Sequence, residues 1–109
     1  MYGLPDDVDL SFLAGRTLEG VRFSLHRIQL DFDGNVWIEV EGDLSLNGKM
    51  AREDPGVLCE LLEHAVDMAS REGDGDLVLK FGSNSLRILD SNSAYESYTI
   101  GREGSQIVV

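Results

Sequence analysis

Few residues in this sequence have the types and spacing that could do chemistry. Glu60, His64 and Asp67 stand four and three positions apart, a spacing that would turn all three to one side of a helix and let them share a divalent cation. A closed site needs further ligands, and none is nominated, so no metal is expected; a solvated acidic helix face has the same spacing. Cys59 is the sole cysteine, which leaves neither an intrachain disulfide nor a CxxC pair. Asp74-Gly75-Asp76 matches the opening of a calcium loop, but the later acidic ligands and central glycine of an EF-hand do not follow. Dinucleotide, P-loop and nucleophile-elbow glycine motifs are missing as well. No catalytic set and no cofactor is expected.

Two strings point to binding instead. Tyr95-Glu96-Ser97-Tyr98 places two phenols around a carboxylate just past the polar loop Asp90-Ser91-Asn92-Ser93. Tyr95, Glu96 and Tyr98 could line a small-ligand groove; equally, the tyrosine rings could pack into a sheet with their hydroxyls finding partners. Trp37 shares strand parity with Glu39 and Glu41, opposite Val36, Ile38 and Val40. A tryptophan bordered by carboxylates has the character of an interface anchor. The alternative is a second small cluster with Val78, Leu89 and Val108, which also fall on the off-core parity of their strands.

Charge narrows the partner. The chain has 109 residues with 20 acidic and 9 basic side chains, a net charge of −11. Residues 31–76 hold thirteen of the acids against Lys49, Arg52 and Arg71, so nearly all the excess lies there. Nucleic acids and anionic membranes are disfavoured, because the attraction that dominates phosphate binding becomes repulsion. A basic protein is the partner that this field would steer. No run approaches the ~20 apolar residues that span a bilayer. Met1 to Asp9 shows no basic start leading into an apolar stretch, and the expected address is cytoplasmic.

The elements that must position these residues follow from periodicity. A single domain over residues 1–109 is expected, with a short arm over 1–8 and a capped turn at Asp9 to Ala14. Val21, Phe23 and Leu25, then Ile28, Leu30 and Phe32, then Val36, Ile38 and Val40 alternate with polar residues as three strands of an antiparallel meander. Asp33-Gly34-Asn35 reverses the chain between the second and third. The third strand runs past a bend at Gly42 through Leu44 and Leu46 to Asn47-Gly48. Asp54-Pro55 opens one main helix, with Leu58, Leu61, Leu62, Ala65, Met68 and Ala69 as its buried stripe, ending at Gly73. Glu60, Glu63 and Asp67 occupy its outer side. Three to four further strands complete an α+β fold: an antiparallel sheet of six to seven strands with the helix packed on one face.

The stretch Leu10 to Phe23, the Leu30-Asp31-Phe32-Asp33 strand, and the closing Leu86-Arg87-Ile88-Leu89-Asp90 and Tyr95-Glu96-Ser97-Tyr98-Thr99-Ile100 resemble a family of small, uncharacterised bacterial proteins. The resemblance brings no activity with it. In general character, small acidic domains of this kind are similar to immunity proteins that neutralise toxins. The expected function is therefore a non-enzymatic acidic module that binds a basic protein, through Trp37, Glu39, Glu41, Glu60, Glu63 and Asp67. The alternatives are a small-ligand or metal-responsive domain using Tyr95, Glu96 and Tyr98, and a homo-oligomer subunit, with a homodimer pairing through the apolar tail Ile107-Val108-Val109.

Overall fold

The alternating stretches of the first half do form a meander: β1 (Leu18–Phe23), β2 (Ile28–Phe32) and β3 (Val36–Val40) pair antiparallel in that order. The computed structural model of the protein describes residues 8–73, 75–90, 97–102 and 104–109. Between β2 and β3, Gly34 and Asn35 adopt φ of 74° and 60°. Both values lie in the left-handed region, which is why glycine and asparagine serve there.

After Val40 the strand bends at Gly42 and continues as β4 (Leu44–Leu46), as the parity of Leu44 and Leu46 implies. The amides of Glu41 and Gly42 both donate to the Ser97 carbonyl, at 3.0 and 2.9 Å. At this bend the chain leaves one sheet and enters another. β4 turns through Asn47-Gly48 into the short β5 (Lys49–Met50).

The expected main helix does not form. Pro55–Leu61 is a seven-residue 3-10 helix, Leu62 is already extended, and Glu63 sits at φ 71°. Residues 63–66 then run alongside residues 15–18. Glu63 and Val66 donate their amides to the Leu18 and Arg16 carbonyls, while Gly15 and Leu18 donate theirs to those of Val66 and His64. Met68–Glu72 is strand β6. Leu58 and Leu61 are three apart and fully buried, a spacing that a 3-10 turn brings to one side as well as an α-helix does. Beyond Leu61 the helical stripe fails: Ala65 is exposed, Met68 is 59% exposed, and Val66, left out of the stripe, is 1% exposed. Long-range backbone pairing has overridden local helix propensity.

The remaining strands are β7 (Asp76–Phe81), β8 (Asn84–Ile88), β9 (Tyr98–Arg102) and β10 (Ser105–Val108). They complete two five-stranded antiparallel sheets, in the orders β1-β2-β3-β9-β10 and β5-β4-β8-β7-β6. The α+β reading with six to seven strands in one sheet is thus replaced by a mostly β architecture with ten strands among the described residues. In place of a helix, the second sheet supplies the cover. Leu30, Ile38 and Ile100 from the first sheet and Leu44, Leu79, Leu86 and Ile88 from the second belong to one buried cluster, joined by Leu13, Leu58 and Leu61. Full burial of each such side chain contributes about 1.5–3 kcal/mol. The second and third strands bury every other residue, so their intervening side chains make an outer face.

Candidate functional site

That outer face carries Trp37 and Glu39, two of the residues singled out by type. Strand register lines up Gly20, Asp31, Trp37, Gly101 and Gln106 in one cross-strand row, and Arg22, Gln29, Glu39, Thr99 and Val108 in the next. Trp37 is half-buried, and its indole lies along the backbone of β9: a Cβ added to Gly101 would fall 2.0 Å from a ring carbon. No L-residue with a side chain fits under the ring unless the ring moves. Beside Trp37, Asp31 accepts hydrogen bonds from Arg22 Nε at 3.0 Å and from Gln29 Nε2 at 2.8 Å. Glu39 is neutralised by Arg27, whose Nη1 donates to Oε1 at 3.0 Å. A depression of about 580 Å³ runs along this face beside Trp37, bordered by Glu19, Arg22, Gln29, Asp31 and Asn35. Of the second cluster expected around Trp37, Val108 shares its face in the adjoining row, whereas Val78 lies in the other sheet, in a row with Arg87, Ser45 and Ser70.

A second feature stands at the end of the meander. The β1–β2 connection is the tight turn Ser24–Arg27, closed by the Ser24 amide and hydroxyl, which donate to the Arg27 carbonyl at 2.9 and 3.3 Å. The turn carries Leu25 and His26 at its tip. Leu25 is 87% exposed and Phe23, at the end of β1, is 48% exposed. Leu25 and His26 share a depression of about 290 Å³ with Glu41 and Arg52. Arg52 is held in place: its Nε and Nη2 donate to the Gly42 carbonyl at 3.1 and 2.7 Å, and Nη2 also donates to the Glu41 carbonyl at 3.2 Å. Its charge faces Asp43 at 3.5 Å.

The acidic residues nominated from the sequence do not share one helix face. Glu60 is exposed on the 3-10 helix, Glu63 is exposed on the segment beside Leu18, and Asp67 accepts a hydrogen bond from the Gly82 amide at the β7–β8 turn. Glu60, His64 and Asp67 therefore stand on three separate pieces of chain. Glu53, Glu60 and Glu63 make no ion pair with a described residue, whereas Asp54, Asp43, Glu72 and Asp76 face Lys49, Arg52 or Arg87. Glu53, Glu60 and Glu63 thus carry charge left uncompensated among the described residues, as do Glu19 and Glu41 elsewhere.

Ser97 and Tyr98, the described residues of the tyrosine string, serve the fold. Tyr98 is 1% exposed, and its hydroxyl donates to the Gly75 carbonyl at 2.7 Å, tying β9 to the β6–β7 turn of the other sheet. Burial, reinforced by the nearby Asp90 and Asp76 carboxylates, raises its pKa well above the usual phenol range. Ser97 is fully buried and its hydroxyl bonds Asp90 at 3.1 Å. Tyr95 and Glu96 lie outside the described residues. Tyr98 is therefore a tie between sheets and does not face a groove.

Phe23 and Leu25 were the residues that pattern reading missed. Their alternation with Arg22, Ser24 and His26 reads as a continuing strand, and Ser24-Leu25-His26-Arg27 contains none of the glycine, proline or asparagine that marks most tight turns. No protein-family model matches this chain, and neither a curated protein nor a solved structure is significantly similar to it.

Proposed function

We propose that this chain is a non-enzymatic, acidic protein-binding module for a basic partner, of the immunity or antitoxin type. The observation that carries the reading is the hairpin tip. Leu25 stands exposed on the turn and Phe23 at the end of β1, and Leu25 borders the same depression as Glu41. Exposed apolar anchors rimmed by charge are the composition of an interaction surface. The uncompensated carboxylates of Glu53, Glu60 and Glu63, within a net charge of −11, supply the long-range attraction that selects a basic surface. Trp37 and Glu39, on the outer sheet face, and Asp67, at the β7–β8 turn, are assigned no part in this contact.

A defined probe tests the surface. Titration of the isotope-labelled protein with a lysine- and leucine-bearing amphipathic peptide should move amide resonances of residues 23–27, 41–43 and 52–63, and Leu25→Ser should weaken those changes. Shifts centred on the Lys80 and Arg87 face, or insensitive to Leu25→Ser, would contradict the reading.

A further inference from the structure

A separate site is built on the outer face of the first sheet, and we infer that it binds a neutral saccharide. Trp37 is partly exposed on this face, and its indole lies against Gly101, where no side chain intervenes. An aromatic plane held flat along a sheet offers a dry surface of the size of one sugar ring, with a polar edge for hydroxyl groups. Around it stand planar groups that pair with adjacent hydroxyls: the Asp31 carboxylate, the Gln29 amide and the Arg22 guanidinium. Asp31 holds the other two, at 2.8 Å from Gln29 and 3.0 Å from Arg22, so the polar set is ordered before any ligand arrives. The depression of about 580 Å³ is within the range of small-ligand sites.

Charge distinguishes a sugar from the other ligands that an indole face attracts. A cationic ligand would find Asp31 already paired with Arg22 and Glu39 with Arg27, which leaves Glu19 as the one lining carboxylate without an ion pair among the described residues. A nucleotide or other anion would approach a chain of net charge −11. A neutral polyol meets neither penalty, and its hydroxyls both donate and accept, which suits a set containing carboxylate, amide and guanidinium together. This inference is independent of the hairpin surface, since it uses other residues in another place.

Trp37 is the sole tryptophan, so intrinsic emission reports on the site directly. The protein is titrated with maltotriose, cellotriose, xylotriose and tri-N-acetylchitotriose, with tetramethylammonium chloride as the cationic comparison. At least one trisaccharide should shift the emission to shorter wavelength and saturate near ~1 mM or below. Asp31→Asn and Gln29→Ala should each weaken that binding about tenfold, by loss of one hydrogen-bonding group. Glu60→Gln should leave it unchanged. Unchanged emission with all four sugars, saturation by tetramethylammonium alone, or equal binding in Asp31→Asn with its melting temperature preserved would each overturn the assignment.

Discussion

Replacing Tyr98 by Phe removes one oxygen from the tie between the two sheets. The hydroxyl donates to the Gly75 carbonyl at 2.7 Å, in a residue 1% exposed. A hydrogen bond of this kind contributes about 0.5–1.5 kcal/mol net, and a buried acceptor left without a partner costs about 1–3 kcal/mol. Gly75 is itself buried, so the larger figure applies and Tyr98→Phe should destabilise by about 1–3 kcal/mol at neutral pH. The pH dependence is more specific. The unfolded chain releases the Tyr98 proton near its ordinary value of 10.0, while the folded protein holds it to higher pH. Above that point the native state binds the extra proton, so stability falls as pH rises, by up to ~1.4 kcal/mol per unit. Tyr98→Phe abolishes that part of the slope. Urea melts of both proteins at neutral pH and above ~10.5 measure both effects. A neutral variant with an unchanged alkaline slope would refute the buried tie.

Other perturbations follow from burial and backbone. Leu61→Ala should cost about 2–5 kcal/mol through lost transfer energy and a cavity. Leu62→Ala should cost clearly less, because Leu62 only borders the buried cluster; equal losses in paired melts would restore the long helix. Gly101→Ala should push the indole off β9, costing about 1–3 kcal/mol and shifting tryptophan emission to longer wavelength. Glu63→Gly should stabilise by up to ~1 kcal/mol, because glycine tolerates the φ of 71° there; a lower melting temperature would speak against that turn.

Much of the first half was legible because local rules and tertiary demands agree. The alternation of Ile28 to Phe32 and Val36 to Val40, the Asp33-Gly34-Asn35 reversal and the Gly42 bend all act within a few residues. The segment 62–72 was not, because Leu58 and Leu61 suit a 3-10 turn as well as an α-helix. Nothing local in Met68-Ala69-Ser70-Arg71 discourages a helix. Its strand conformation comes from pairing with β7. The same limit applies to function. The parity of Trp37 with Glu39 was readable, but the Arg27 partner of Glu39 and the Gly101 seat of Trp37 depend on register between strands. The Leu25 tip was hidden because, apart from Ser24, its turn uses residues with no turn preference.

The Leu25 hairpin tip, with Glu41 in the same depression, is the proposed docking surface for a basic protein. A photo-crosslinking amino acid placed at position 25, and separately at Lys80 on the other sheet, tests it in an extract of the source cell. One adduct is expected, formed at position 25 with a basic protein, absent at position 80, and weakened by salt and by Glu41→Gln, Glu53→Gln and Glu60→Gln together. Adducts of equal yield at both positions, or an adduct at position 25 that ignores salt and charge removal, would contradict it.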